Sequence, residues 1–257
     1  MAQPETVHDT RTGIAFSLAF VAGFVDVIGW LALDELYTSH LTGNTARIGI
    51  ELAAGHGGEA FTRAVPVMAF VVGVGAGALL AEVLVLRGVR SAIAPGLAIE
   101  AALIGAFLLW AWSTAHLGVI PLEPRWAFDL QTALLALAMG VQTATFRRVD
   151  GATVRTTYIT GMLTHFAEEL ADRVANRHDA PSDEGFARRT LTVGGIWPCF
   201  LAGAVAGAFG HTRWGTGALL VPFAALAALA VCDLVWPARG PKGTAGERRT
   251  QRRTSRE

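Results

Sequence analysis

The chain has 257 residues, of which 52% are hydrophobic and only 16% are charged, and its 21 basic side chains balance its 21 acidic ones. Soluble domains carry about 25% charged residues, so the charge deficit indicates a membrane protein. A net charge of zero gives no reason to expect a nucleic-acid partner. The two cysteines, Cys199 and Cys232, lie inside apolar runs as small hydrophobic residues. The sequence predicts neither a metal site nor a cofactor site.

Six apolar runs are long enough to cross a bilayer, which takes about 20 residues. They cover residues 13–33, 64–86, 92–117, 126–146, 190–210 and 216–236. The first run exceeds the ~7–15-residue apolar core of a secretory signal peptide, so we interpret it as a retained anchor. The sequence therefore predicts an all-α membrane protein with six transmembrane helices.

Two polar segments, residues 38–54 and 156–172, interrupt this pattern. The first contains Arg47, which would cost about 3 kcal/mol near the centre of a spanning helix, while each nearby Leu or Ile returns only about 0.3–0.6 kcal/mol. His40, Asn44 and Glu51 would also have to be accommodated. Each segment is therefore predicted to be a re-entrant or interfacial helix buried against protein, where non-crossing backbone is tolerated.

The placement of Lys and Arg supports six crossings. With the amino terminus inside, 17 of these residues lie on the cytoplasmic side and 3 outside, which is the positive-inside pattern. If both polar segments crossed, the split would be 14 against 6. We therefore expect a multi-pass protein of the bacterial cytoplasmic (inner) membrane. Residues 1–12 and a disordered basic tail, residues 238–257, are both expected in the cytoplasm.

The two polar segments belong to an internal repeat. Residues 38–53 match residues 156–171 at an offset of 118, through Thr38/Thr156, Thr42/Thr160, Gly43/Gly161, Glu51/Glu169, Leu52/Leu170 and Ala53/Ala171. Flanking matches keep the same order, through Gly23/Gly140, Phe70/Phe200, Gly73/Gly203 and Gly77/Gly207. Three crossings per half is an odd number, so residues 13–120 and 121–237 are predicted to form two inverted three-helix repeats. Many secondary transporters have this architecture.

The stretches "AGFVDVIGWLAL" and "YTSHLTGNTARIGIELA" resemble the amino-terminal signature of the YoaK-like family of bacterial membrane proteins, a domain of unknown function. The resemblance covers nearly the whole chain apart from the tails, and a Gly-x-x-Asp plus Thr-Gly-Asn pattern carries it. It implies a multi-pass protein of the cytoplasmic membrane. It assigns no activity, so no catalytic residue follows from it.

Asp26 lies within the first apolar run and is the main candidate for function. Carboxylates inside membranes are costly and tend to mark ion or substrate paths. The alternative is a structural carboxylate that is capped by hydroxyls or paired with Arg47. Its counterparts in the second half, near Gln142 and Thr143, are uncharged, so any charge chemistry is predicted to be asymmetric.

The Thr-Gly segments are the second candidate feature. Thr42, Gly43 and Asn44 combine a hydroxyl, a flexible backbone position and an amide, which suits an interrupted helix whose free N–H groups face a ligand. A helix cap with close helix packing is the alternative. Thr160 and Gly161 carry the same pattern without the amide.

His40 and His165 are not in a metal-binding spacing, and each is interpreted as a hydrogen-bonded interfacial histidine or as part of a proton relay. The glycine pairs Gly73/Gly77 and Gly203/Gly207 are predicted to be close-packing positions, and glycine-rich faces of this kind could also form a homo-oligomer. The predicted substrate-binding set is Asp26, His40, Thr42, Gly43, Asn44, Arg47, Gln142, Tyr158, Thr160 and Gly161.

The inverted repeat and Asp26 favour a transporter or channel-like protein for a small solute or ion, whose other partner is the lipid bilayer. A membrane-embedded enzyme acting on a lipid or lipid-linked substrate is the first alternative. Against it stand the lack of a nucleophile–base pattern, a metal spacing or a phosphate-binding loop in the sequence. A non-catalytic membrane scaffold is the second alternative.

Overall fold

The computed structural model describes residues 4–89, 91, 93–114, 116, 118–145, 148–149, 152–153, 156–175 and 183–236. The predicted basic tail, residues 238–257, lies outside the described residues. Within them the fold is helical, apart from one antiparallel pair of two-residue strands.

The elements follow one another in a repeated order of a long helix, a short polar helix, a second long helix and a third. In the first half these are α1 (Pro4–Ala32), α2 (Leu41–Ala53), α3 (Gly57–Leu86) and α4 (Ala94–Ser113). In the second half they are α5 (Arg125–Thr145), β1 (Arg148–Val149), β2 (Ala152–Thr153), α6 (Ile159–Ala175), α7 (Asp183–Trp214), a short 3-10 helix (Gly215–Leu219) and α8 (Leu220–Val235).

Four helical stretches among the described residues are long and apolar enough to cross a membrane. They are Arg11–Ala32, Gly57–Leu86, Ala94–Ser113 and the 46-residue stretch Thr190–Val235, which holds most of α7 and all of α8. Large apolar side chains on their outer surfaces are exposed, as lipid-facing positions require. The chain is therefore a multi-pass membrane protein.

The predicted crossing at residues 126–146 corresponds to α5, which is not among these four stretches. Helix α5 is less apolar than these four stretches because it carries several polar residues. All of the following are buried within the protein: Gln131, Thr132, Gln142 and Thr143. A helix covered by its neighbours needs fewer apolar side chains than one that faces lipid. Its crossing stays a prediction.

Helices α1 and α7 pack at van der Waals distance through glycine. A Cβ at Gly23 would fall on the carbonyl oxygen of Phe200, and one at Gly203 would fall on the carbonyl oxygen of Phe20. Each helix thus presents glycine to the backbone of the other. Along the contact Gly195 meets the Phe16 ring and Gly207 meets the Phe24 backbone, so the position numbers rise together and α1 and α7 run parallel.

Helices α3 and α5 repeat this contact. A Cβ at Gly140 would fall on the carbonyl oxygen of Phe70, and one at Gly73 on that of Leu137. The prediction that the glycine pairs are packing positions is confirmed. Gly73 meets Leu137 and Gly77 meets Val141, so α3 and α5 also run parallel. Both glycine faces are filled within one chain, so a homo-oligomer through glycine-rich faces stays a prediction.

Helices α4 and α8 run antiparallel. The backbone N–H of Ala94, at the start of α4, donates to the carboxylate of Asp233 near the end of α8, at 3.0 Å. Farther along α4, Gly105 faces the ring of Phe223, near the start of α8. The relative direction of α4 and α8 depends on how many times the chain between them crosses the membrane.

The end of α1 lies beside the start of α3. The Arg63 guanidinium, on the second turn of α3, donates to the Asp34 carboxylate just beyond α1 at 2.7 Å. The connection after α4 reaches the same place, because the N–H of Ile120 donates to the carbonyl of Ala32 at 2.8 Å. The polar helix α2 therefore returns the chain to the end of the molecule from which it came.

We expect Gly73→Ala to destabilise the protein, because its new Cβ has no room against the α5 backbone and overpacking of this kind costs about 1–3 kcal/mol. Gly75→Ala is the matched control on the same helix, since its Cβ would meet nothing within 4 Å. Thermal unfolding in detergent, followed by tryptophan fluorescence, should show a lower midpoint only for Gly73→Ala. Equal midpoints for the two variants would contradict the described packing.

Candidate functional site

Asp26 lies on α1, six residues before its end at Ala32, and is only 3% exposed. Its Oδ1 atom accepts three hydrogen bonds: from the N–H of Thr38 at 2.8 Å, from the Thr38 hydroxyl at 2.9 Å and from the N–H of Ser39 at 2.7 Å. Backbone donors directed at one carboxylate oxygen stabilise its ionised form. The buried charge is therefore satisfied by the loop that follows α1.

His40 contacts the other carboxylate oxygen. Its Nδ1 atom makes a short hydrogen bond to Oδ2 of Asp26. An ionised carboxylate can only accept, so Nδ1 carries the hydrogen. The centroid of the imidazole ring also lies 5.6 Å from that of the Tyr37 ring and 5.4 Å from that of the Phe200 ring. These contacts leave Nε2 as the free nitrogen of a fixed ring.

The chain reaches this position by a sharp reversal after α1. Asp34 and Glu35 have φ angles of 49° and 60°, a left-handed conformation that is uncommon for residues other than glycine. The loop then descends to Asp26, about 9 Å below the end of α1 at 1.5 Å per residue. Helix α2 begins there, at Leu41, so its positive amino-terminal end lies next to the carboxylate.

An open pocket of about 350 Å³ lies above the Asp26–His40 pair. Its walls come from α1, from the loop and start of α2, and from α7. They are formed by Gly23, Asp26, Val27, Tyr37, His40, Thr42, Gly43 and Phe200. Phe200 belongs to the second half of the chain, so the pocket lies between the two halves. Of the predicted site residues, the pocket brings together Asp26, His40, Thr42 and Gly43.

Asn44 supports the loop instead of facing the pocket. Its amide accepts a hydrogen bond from the N–H of Tyr37 at 3.1 Å and donates one to the Tyr37 carbonyl at 2.7 Å. Gly43 packs against the Tyr37 ring, and a Cβ there would lie 3.2 Å from it. Both residues therefore fix the shape of the segment between α1 and α2.

The alternative of an ion pair between Asp26 and Arg47 is wrong. Arg47 donates to the carboxylate of Glu35 at 2.7 Å, and the side chains are 41% and 52% exposed. Arg47 was also predicted to share a binding site with Asp26. That prediction is wrong, because Arg47 lies on the second turn of α2, which has already moved away from the carboxylate. An exposed pair of this kind contributes little to stability.

At the second polar segment, amide and hydroxyl side chains make the contacts that correspond to those of Asp26, and no charged side chain takes part in them. The Gln142 amide donates to the carbonyl of Leu18 at 2.7 Å and to the hydroxyl of Thr156 at 3.0 Å. The Thr143 and Thr157 hydroxyls lie 2.6 Å apart. Thr143 occupies the position of Asp26 in the repeat, so the predicted asymmetry of charge is present in the described residues.

The remaining predicted site residues lie away from the pocket. Tyr158 is 56% exposed and Thr160 is also exposed, whereas Gly161 is buried against the Tyr158 ring. His165 is exposed and lies 3.3 Å from the carboxylate of Glu168. Among the described residues, none of these four lines the pocket that holds Asp26.

Sequence reasoning missed Thr38 and Ser39, which hold the carboxylate, and Phe200, which closes the pocket. A signal was available, since all three belong to matched pairs of the internal repeat. It also missed Glu100 on α4, which is fully buried with neither carboxyl oxygen hydrogen-bonded to a described residue. The rule for intramembrane carboxylates that selected Asp26 applies equally to Glu100.

One group of described side chains could hold a metal ion. Glu51, His56 and Glu59 bring donor atoms within 4.8 Å of one another at the turn between α2 and α3. His56 and Glu59 are exposed, and the His56 Nδ1 atom lies 3.2 Å from the Glu51 carboxylate. Interactions within the group therefore account for its arrangement.

A family model described as "Protein of unknown function (DUF1275)" matches residues 14–232. The chain belongs to this family. It is also similar to the UPF0700 transmembrane protein YoaK of Bacillus subtilis, with 26% identity over 168 residues, which cover 64% of this chain and 69% of that protein. No solved structure matches the chain significantly. The predicted resemblance to YoaK-like proteins is confirmed.

The pH dependence of stability should report the Asp26–His40 pair. The hydrogen bond to Asp26 raises the pKa of the His40 imidazole above its usual value of 6.5, although burial opposes the change. A raised pKa contributes stability that is fully present below the unfolded-state value and is lost as pH rises through the folded-state value. The free energy of unfolding should therefore fall as pH increases from about 6.5.

Thermal unfolding across this pH range should show that fall in the wild type and in His165→Gln, whose exposed histidine serves as the control. His40→Gln should lose it. An unchanged slope in His40→Gln would contradict the assignment of the pH dependence to this pair.

Proposed function

We propose that the chain crosses the membrane six times as two inverted three-helix repeats, with α2 and α6 as short non-crossing helices. The direction of α4 against α8 supports this topology: six crossings make these helices antiparallel, whereas eight would make them parallel. Their contacts are antiparallel. The lengths of α2 and α6, 13 and 17 residues, also fall below the usual length of a spanning helix.

The matched glycine contacts support the inverted relation between the halves. Helix α1 of the first half packs on α7 of the second, and α3 of the first packs on α5 of the second, through the pairs that the repeat relates. In this arrangement α1, α4 and α7 run in one direction, and α3, α5 and α8 run in the other. The positive-inside pattern then gives an inner-membrane protein with both termini in the cytoplasm.

Within this topology we propose that the protein is a transporter or channel-like protein for a small solute or ion. The observation that carries the proposal is the 3% exposed carboxylate of Asp26 on α1, which accepts hydrogen bonds from the loop that leads into α2 and lines a pocket walled by both halves. Sites of inverted-repeat transporters lie between the repeats and use interrupted helices. A carboxylate serving structure alone would not need a pocket above it.

We interpret the pocket as a binding site instead of an enzyme active site. In the described part of the chain, no hydroxyl or thiol is hydrogen-bonded to His40, whose recorded bond goes to Asp26. Nucleophilic catalysis would require a side chain within hydrogen-bond distance of its base. The Thr42 hydroxyl lines the pocket, but no hydrogen bond joins it to the imidazole.

Purified protein in liposomes should move at least one class of a broad panel of labelled small solutes and ions above the empty-liposome background. Asp26→Asn should insert, remain monodisperse in size-exclusion chromatography and lose that flux. Glu82→Gln is the matched control, because this exposed carboxylate lies on α3 away from the pocket. Background flux across the panel would contradict transport, and turnover of a lipid-linked substrate would favour an enzyme.

A further inference from the structure

The net charge of the pocket depends on a single proton. Three donors are directed at Oδ1 of Asp26 and the imidazole N–H at Oδ2, an arrangement that suits a carboxylate. With His40 neutral, the pair therefore carries one negative charge. With His40 protonated, the pair is neutral.

Other groups around His40 do not alter the net charge of the pocket. On α1, the only charged side chain of the pocket wall is Asp26; on the loop, Tyr37 is titratable but ordinarily neutral; and from α7, Phe200 is apolar. Arg47 and Glu35 neutralise each other outside the pocket wall. Among the described residues that line the pocket, Asp26 and His40 alone set its charge near neutral pH.

The imidazole of His40 lines the pocket, and its second nitrogen is available to a ligand. Nδ1 is fixed on Asp26, while Nε2 has no hydrogen bond to a described residue and is not among the fully buried unpartnered atoms. In the neutral imidazole Nε2 is an acceptor. It can therefore accept a hydrogen bond from an N–H group in the pocket.

The walls of the pocket fit an organic cation. The aromatic rings of Tyr37 and Phe200 flank His40, and aromatic faces attract ammonium groups. An inorganic cation would instead need several oxygen ligands, and Oδ1 of Asp26 is already occupied by three donors. A volume of about 350 Å³ leaves room for an amine with a short substituent.

We propose that this pocket binds a small protonated amine in exchange for the proton on His40, a proposal that rests on the transport function above. One proton leaves Nε2 for water as one ammonium group enters and donates an N–H to the same nitrogen. On the opposite side of the membrane the ammonium leaves and a proton returns. No covalent bond other than N–H changes.

The exchange follows from the cost of buried charge. The pair is neutral with either the proton or the ammonium bound, and it carries one negative charge when empty. Burying an unpaired charge is far more costly than burying a neutral pair. The protein can therefore change its accessible side only when loaded, which makes the exchange one for one. The hydrogen bond that His40 donates to Asp26 raises the pKa of the imidazole and so favours the proton-bound form.

Calorimetric titration of the purified full-length protein with ethylammonium tests the proposal. Buffers with different ionisation enthalpies give the number of protons released per cation bound. Below the pKa of His40 we expect about one proton released, and an apparent Kd that weakens about tenfold per pH unit as pH falls, by linkage. Tetramethylammonium keeps the charge but lacks an N–H, so it should bind more weakly.

Three variants sharpen the test. His40→Gln should bind ethylammonium without releasing protons and without the pH dependence. Asp26→Asn should bind it at least about tenfold more weakly, because the pocket has lost its negative charge. His165→Gln should behave as the wild type, since this histidine is exposed and distant from the pocket lining.

The wild-type pH dependence requires no variant, so a misfolded His40→Gln would not weaken the test. Binding without proton release, or tetramethylammonium binding equal to that of ethylammonium, would overturn the proposal. So would no binding of ethylammonium by a protein that transports a neutral or anionic solute in liposomes, which would leave the transport function intact. Background flux for every solute would overturn the transport function itself.

Discussion

The requirement to satisfy a buried carboxylate on α1 determines the architecture of the first half. Asp26 is only 3% exposed, so most of its hydrogen-bond partners come from the chain itself. The N–H groups of Thr38 and Ser39 meet this need, which draws the loop after α1 back along the helix. Helix α2 then begins beside the carboxylate and leads outward to α3.

The same constraint connects structure to function. A carboxylate held by fixed donors and by an imidazole has a defined position, and the imidazole lines the pocket. Phe200 brings the other half of the chain to this place, where Gly23 allows α7 to approach α1 closely. Motion of one half against the other would therefore change the pocket directly. At the equivalent place in the second half, the hydrogen bonds of Gln142 and Thr143 go to hydroxyl and carbonyl groups, and no charged side chain takes part in them.

Much of this fold could be predicted because its signals are local in sequence. The glycine pairs, the polar segments and the intramembrane carboxylate each depend on residue type and spacing, and the structure bears out the packing role of the glycines. The repeat also matched Thr38 with Thr156 and Ser39 with Thr157, which occupy equivalent positions beside Asp26 and beside Gln142 and Thr143.

The partner of Asp26 could not be predicted in the same way. The sequence suggested capping by hydroxyls or an ion pair with Arg47, and the Thr38 hydroxyl is indeed one of the donors. The other two donors to Oδ1 are backbone N–H groups, which carry no sequence signal because every residue except proline has one. The left-handed turn at Asp34 and Glu35 places those donors, and neither residue type predicts it. The surroundings of α5 were difficult to predict for another reason. Its buried polar residues are hydrogen-bonded to residues that are distant in sequence, as Gln142 is to Leu18.

Cysteine labelling tests most directly whether the segment held against Asp26 stays on one side of the membrane. Cys199 and Cys232 are first replaced by alanine, and single cysteines are placed at Glu35, His56 and Arg87, which are exposed in the structure. We expect a membrane-impermeant maleimide to label positions 35 and 56 from the same side in intact cells, and position 87 from the opposite side. Labelling of positions 35 and 56 from opposite sides would show that α2 crosses the membrane and would contradict the account.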